Sequence, residues 1–281
     1  MSAETVQRIM FILLGLATIV VVVPILLVIG YIVIQGIGVI DWTFLSAMPQ
    51  DGMKAGGIFP AIVGTVLLTL GTAIVSIPIG VGASIYLAEY AGENWLTRAI
   101  RLAIINLAGI PSVVYGLFGL GLFVLFLHFG TSILAGSLTL AILTLPVIIS
   151  TAEEAITSVP VAFRTVSVSL GATKWQTVRH QVLPHALPGI LTGIILGLGR
   201  AAGETAPILF TVAAFFLPRL PHSVFDPTMA LPYHLFVIST QVPGMPIGIQ
   251  YGTALILLVF VLSMVFIATL IRGRFRARRP W

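Results

Sequence analysis

Six long apolar stretches alternate with short polar ones along the chain: about Ile9–Ile34, Ala61–Ala88, Leu102–Leu127, Ile133–Ile149, Ile190–Phe216 and Tyr251–Ile271. A helix needs roughly 20 mostly apolar residues to cross a bilayer. All six approach that length; the fourth is the shortest. Backbone groups in lipid must pair within their own helix or around a closed barrel. Barrel strands alternate apolar and polar positions over about ten residues, and these stretches do not alternate. The pattern predicts an all-α, polytopic membrane bundle of six transmembrane helices.

Composition agrees. Of 281 residues, 58% are hydrophobic and only 8% are charged, against about 25% charged in an ordinary globular chain. So few charges cannot cover a soluble surface of this size. No cysteine is present, which removes disulfides, thiolate metal sites and cysteine nucleophiles. The net charge is +5, with Arg272, Arg274, Arg276, Arg278 and Arg279 crowded behind the last apolar stretch. That placement suits anionic headgroups. No basic groove with interleaved aromatics points to nucleic acid. The first stretch is longer than a signal-peptide core and lacks an Ala-x-Ala-like site, so it reads as a retained span.

Loop charge orients the bundle. With the N-terminus inside, inside segments hold Arg8, Arg98, Arg101, Arg164, Lys174, Arg179 and the five C-terminal arginines; outside loops hold Lys54 and Arg219. This asymmetry places both termini in the cytoplasm. Trp42, Trp95 and Trp281 flank spans and suit the headgroup layer. The expected organisation is a first helix and external loop over 1–60, a five-helix domain over 61–271 and a basic tail over 272–281. Two polar segments interrupt the domain. The outside one, about 217–250, is rich in proline and either covers a pore mouth, meets an external partner, or simply connects two spans.

The inside segment, about 150–188, is more informative. Gly171 separates two short stretches of helical periodicity. Trp175, Val178 and Val182 fall at i, i+3 and i+7 and share a face, and Pro184 is expected to stop the helix. Such an elbow either docks a cytoplasmic partner or packs on its own bundle. The chain has two lysines, Lys54 and Lys174, and neither ends a G-x-x-x-x-G-K-[ST] phosphate-binding loop. ATP-driven work would therefore need another subunit.

This inside segment resembles the EAA loop of ABC-importer permeases, a pattern centred on E-A-A-x-x-x-G and ending in L-P. Gly171, Leu183 and Pro184 match, with Ser169, Leu170, Ala172 and Thr173 beside them; Thr165 and Val166 stand where Glu-Ala is usual. The resemblance implies that this loop, with Trp175, couples to the ATPase. Further stretches (Gly56–Leu70, Asn106–Leu120, Gly199–Phe210, Ala230–Val237, Tyr251–Leu255) are similar to PstA-type phosphate permeases. That resemblance implies a sister PstC-type permease, two PstB-type ATPase subunits using ATP and Mg, and an external PstS-type phosphate-binding protein, in a bacterial inner membrane. It implies no cofactor on this chain.

Arg200 and Glu204 lie inside the fifth apolar stretch. Charges at bilayer depth are costly and mark function by default; their i, i+4 spacing places them on one helix face. Arginine presents a planar fork suited to phosphate, and a carboxylate can hold that fork when empty and limit the grip on an anion. The alternative is a buried structural pair, whose disruption would cost roughly 3–5 kcal/mol. The order Arg-x-x-x-Glu-Thr-Ala-Pro resembles the permease pattern, which implies a phosphate path lined by Arg200, Glu204 and, more weakly, Thr205. The third stretch carries Asn106, Ser112 and Tyr115 around Gly109 and Pro111; a broken helix lining water and close packing both fit. Glu153 and Glu154 are expected to favour the N-terminus of a loop helix. The histidines lack ligand spacing and no catalytic triad is evident, so neither a metal site nor an enzyme is expected. The rival readings are an importer of another oxyanion, a gradient-driven transporter or channel, and a membrane-embedded enzyme or assembly factor.

Overall fold

The computed structural model describes residues 3–277; Arg278, Arg279 and Trp281 lie outside the described residues. Helix α1 (Ala3–Gly36) covers the first stretch. A short helix α2 (Trp42–Ser46) follows, its N-terminus capped by Asp41, whose Oδ1 accepts from the Phe44 N–H at 2.6 Å. A two-stranded hairpin, β1 (Pro49–Gln50) and β2 (Ala55–Gly56), pairs Pro49 with Gly56 and Gln50 with Ala55. Helix α3 (Phe59–Ile85) runs on into a π turn at Tyr86–Tyr90, closed by the Ala91 N–H donating to the Tyr86 carbonyl at 2.8 Å.

The third stretch departs from expectation. It is a bent pair, α4 (Trp95–Ala108) and α5 (Ser112–Gly119), the latter extended by a π turn over Leu120–Phe126. The helix axis bends by 104° between them. Pro111 has no N–H to give the ladder and biases Ile110 away from helix, so α4 closes at Gly109 and α5 starts afresh. The 8 residues of α5 and 7 of its π turn rise about 22 Å, short of the roughly 30 Å hydrocarbon core.

Helix α6 (Ile133–Thr157) extends two turns beyond the expected Ile149. The inside segment then forms α7 (Val161–Ser169) and α8 (Lys174–Thr177). From α8 the chain stays helical through a π turn at Val178–Val182 into α9 (Leu183–Gly203). Pro184 therefore does not stop a helix. It sits in the first turn of α9, where the wider π turn behind it absorbs the missing donor and the ring. The fifth stretch also breaks: α9 ends at Gly203, Glu204 is extended (ψ 133°), and α10 (Ala206–Thr211) restarts with Pro207 in its first turn. Helix α11 (Leu231–Thr240) occupies the expected outside loop, and α12 (Ile247–Ala277) completes the chain. The all-α polytopic bundle thus consists of five long apolar helices and the bent pair.

Helix α6 is the axis of the bundle and packs against both α3 and α9. Small residues permit the approach. A Cβ on Gly71 would lie 2.3 Å from Ser137 Oγ, one on Gly80 2.7 Å from Ile148, and one on Gly193 2.9 Å from Thr151. Two apolar cores form. One gathers Phe44, Ile58, Leu68, Leu140, Ile208, Leu231 and Ile238 at the hairpin end; the other gathers Ala152, Ile156, Val159, Val182 and Ile190 beneath α7. Segment 212–230 folds back over the start of α6, with Ile133 N–H donating to the Asp226 carbonyl and Leu134 N–H to the Val224 carbonyl, both at 2.9 Å. Helix α1 stands apart, packing on α12 and exposed along most of its length. It approaches α12 closely near Gly36, where a Cβ would meet the Tyr251 carbonyl at 2.5 Å, and at the Tyr31–Tyr251 edge-to-face pair.

Candidate functional site

Arg200 and Glu204 do meet, though not as successive turns of one helix. Arg200 occupies the last turn of α9 and Glu204 is the residue that ends it. Arg200 Nε donates to Glu204 Oε1 at 3.0 Å, with side chains 37% and 15% exposed. The two terminal Nη groups of Arg200 have no partner among the described residues. Glu204 thus orients the guanidinium by one edge and leaves its fork open, the geometry a bidentate anion requires. A pair this open is worth less than the roughly 3–5 kcal/mol assigned to breaking a buried one. Glu204 also borders a niche of about 10 Å³ with Thr65, Leu68 and Thr69 of α3 and Pro232 of α11, room for at most a single water. Thr205 opens α10 half-buried, without capping it through its side chain.

The bend between α4 and α5 points at the same region. Tyr115 Oη donates to the Leu107 carbonyl at 2.7 Å, so the tyrosine braces the bend through a carbonyl that also accepts from the Ile110 N–H at 3.1 Å. Tyr115 stands within electrostatic range of Arg200. Gly116 approaches α10 so closely that a Cβ would sit 2.9 Å from the Ala206 carbonyl. The break in the third stretch is therefore packed against the break in the fifth.

The inside segment builds a protruding knob. Helix α7 ends in a Schellman turn: Gly171, at φ +83°, donates to the Val168 carbonyl at 2.9 Å, and Ala172 N–H donates to the Ser167 carbonyl at 3.2 Å. Thr173 and Gln176 then start α8 with a reciprocal capping box. The Ser167 and Thr177 hydroxyls lie 2.9 Å apart and tie the two helices together. Leu170 is 83% exposed and Trp175 51%. Val178 and Val182 instead point inward, so the expected common face is divided between surface and core. An open groove of about 430 Å³ runs along α7, lined by Phe163, Val166 and Leu170. Leu183 and Pro184 lie behind the knob, where the chain enters α9.

Several important contacts were not apparent from the sequence. Arg164 of α7 donates to Glu89 Oε1 from Nε at 3.0 Å and from Nη2 at 2.7 Å, and also reaches the Ile156 carbonyl at 2.9 Å. Arg101 of α4 binds Glu153 at 2.7 Å and the Leu87 carbonyl at 2.9 Å. Glu153 and Glu154 sit in the last two turns of α6, not at the start of a loop helix. Arg101 offsets the unfavourable dipole that Glu153 meets there. No group of metal-binding side chains occurs among the described residues.

The family model described as "binding-protein-dependent transport system inner membrane component" matches residues 80–277. The chain belongs to this family. Among curated relatives, it is 33% identical over 265 residues to "Probable ABC transporter permease protein YqgI" of Bacillus subtilis, covering 88% of this chain and 90% of the relative. It is 34% identical over 264 residues to "Phosphate transport system permease protein PstA 2" of Mycobacterium bovis, covering 93% and 85%. Among solved structures, a bacterial ABC transporter involved in the import of the acidic polysaccharide alginate aligns with TM-score 0.70 at 14% identity, over 96% of this chain and 98% of that one. At that identity it supports the permease fold alone. As a member of this family the chain is a membrane-integral transport subunit, and membership implies a partner permease, a separate ATPase and a substrate-binding protein.

Proposed function

We propose that this protein is the PstA-type permease of an ATP-driven phosphate importer, spanning a bacterial inner membrane with both termini in the cytoplasm. The observation that carries the reading is the Arg200–Glu204 pair, whose open Nη fork lies where the breaks in two apolar stretches pack together. Relatives named for phosphate transport support the choice of anion. Arg200 receives phosphate through charge-assisted hydrogen bonds. Glu204 repels the same anion and keeps the hold weak enough for release, and Thr205 lines the path beside it. A PstS-type protein delivers phosphate from outside, and a PstC-type sister permease supplies the other wall.

The knob carries the coupling role. Ser169, Leu170, Gly171, Ala172, Thr173 and Trp175 meet the PstB-type ATPase, two copies of which bind ATP and Mg; Leu183 and Pro184 join the knob to α9. This chain binds no cofactor and hydrolyses no ATP. Lipid covers its outer face, and nucleic acid plays no part.

The test is ATP-dependent uptake of phosphate into proteoliposomes holding the complete complex, comparing wild type, Arg200→Gln and Glu204→Gln at equal assembly. Both substitutions are expected to depress uptake at least tenfold, about 1.4 kcal/mol of lost stabilisation. Unchanged uptake in both would reduce the pair to a structural contact. Uptake of sulfate or an acidic sugar by the wild-type complex, with none of phosphate, would reassign the substrate.

A further inference from the structure

Three cations from three separate helices converge on the π turn Tyr86–Tyr90. Arg101 of α4 donates to the Leu87 carbonyl. Arg164 of α7 grips Glu89 with two N–H groups. Lys174, the first residue of α8, places its Nζ 5.0 Å from the centre of the Tyr90 ring. Exposed charges seldom collect on one turn to stabilise it, because each screened pair contributes little. Here the Glu89 side chain is only 8% exposed, and Arg164 also holds the carbonyls of Ile156 and Val159 where α6 gives way to α7. The turn itself is of a type found frequently at functional sites.

The position of this turn gives the convergence a mechanical meaning. It terminates α3, whose 27 residues make a rod of about 40 Å. Toward its other end, Thr65, Leu68 and Thr69 line the same small niche as Glu204. Both halves of the knob, α7 through Arg164 and α8 through Lys174, therefore hold one end of the helix whose other end shares a niche with Glu204 of the anion pair. The direct route along the chain, from α8 into α9, passes through the π turn at Val178–Val182, which no side-chain ion pair among the described residues fastens; the route through α3 passes Pro78 but enters by a turn that the Glu89–Arg164 pair fastens. Coupling between distant sites is carried by such rigid elements and the charge networks that fasten them.

We propose that the π turn Tyr86–Tyr90 gears the knob to α3, with Glu89 and Arg164 as positioning residues that make ATP-driven movement of the knob reach the anion path. The proposal rests on the reading of the knob as the ATPase docking segment.

The experiment uses the assembled complex in proteoliposomes and measures phosphate moved per ATP hydrolysed for wild type, Glu89→Ala, Arg164→Gln and Glu89→Asp. Glu89→Ala and Arg164→Gln are expected to keep their ATPase subunits and continue to hydrolyse ATP, with the transport ratio lowered about tenfold, within the usual range of allosteric coupling. Glu89→Asp, which keeps the charge, is expected to retain most of it. A second readout needs no disruptive variant. The chain has no cysteine, so spin labels can be placed within it at Val161→Cys on α7 and Ile74→Cys on α3, both exposed positions. Their separation is expected to stay constant between nucleotide-free and ATP-bound complexes. A separation that changes with nucleotide, or a wild-type transport ratio in Glu89→Ala, overturns the gear. The docking reading is tested separately by cross-linking Leu170→Cys to the ATPase. Its absence would overturn docking and gear together, whereas cross-linking with an unaltered ratio overturns the gear alone.

Discussion

His234 should make the protein sensitive to acid, and the size of the effect follows from its surroundings. The imidazole lies in α11, 2% exposed, and neither ring nitrogen has a hydrogen-bond partner. Burial alone pushes its pKa down from the ordinary 6.5 to about 4, because the charged form would lose its hydration without gaining a partner. In the unfolded chain the ring titrates near 6.5. The stability that the neutral ring permits is therefore fully present above pH 6.5. As pH falls below that value the unfolded state takes up a proton that the folded state refuses, and the loss is complete once pH passes through about 4. A gap of about 2.5 pH units corresponds to about 3 kcal/mol. His234→Leu removes the titration and keeps an apolar side chain of similar reach. Thermal unfolding of purified wild type and variant in neutral detergent, from pH 8 to pH 4, measures the difference. The variant's advantage in Tm should be small or constant above pH 7 and should grow by on the order of 5–10 °C by pH 4. Parallel profiles across the whole range would refute the argument and show that the ring finds a partner or a water when charged.

The remaining predictions concern backbone approach and braces. Gly64→Ala would place a Cβ 1.9 Å from the Met229 carbonyl oxygen; backbone cannot yield cheaply, so a loss of at least about 2 kcal/mol is expected, read as a lowered Tm and reduced yield. Gly203→Ala, whose Cβ would meet nothing within 4 Å, should leave both unchanged. Gly171→Ala has room for its Cβ but must hold φ +83°, costing about 1 kcal/mol; hydrogen exchange at Ala172, whose N–H bonds to Ser167, should accelerate about fivefold. Tyr115→Phe removes the brace across the α4–α5 bend, at about 1 kcal/mol; exchange at Gly109 and Ile110 should rise while distant helices stay protected.

Hydropathy made α1, α3, α6 and α12 legible because each is one uninterrupted helix whose apolar length records the span. It could not show the breaks in the other two stretches, since backbone dihedrals leave no trace in a hydropathy sum. Pro111 marked the first break. Pro207, in the first turn of α10, was the available sign of the second. The contrary error at Pro184 arose because a local rule for proline takes no account of a π turn upstream that accommodates it. Arg200 and Glu204 were visible as rare charges at depth, and the structure brings them together. Glu89 was missed because it falls just past the expected end of the second stretch and its partner lies 75 residues away. Arg101 and Arg164 were read only as signs of orientation, and Lys174 for that and for the lack of a phosphate-binding loop, since sequence spacing does not foretell which helix ends converge.

The π turn at Val178–Val182 also acts as a phase shifter. A π turn holds one residue more than the α turn it replaces, which is the expected trace of a single-residue insertion into an older, regular helix. Each α-helical residue advances the side chain by about 100° around the axis. Deleting one residue there would return the wide turn to an α turn with α9 in its present register, whereas forcing the same residues into regular α turns would rotate everything beyond by that angle. Arg200 would then turn away from its present outlook while the knob stayed in place. The wide turn, by absorbing one residue, thus keeps the angular register between the surface that receives the push and the charge that receives the anion.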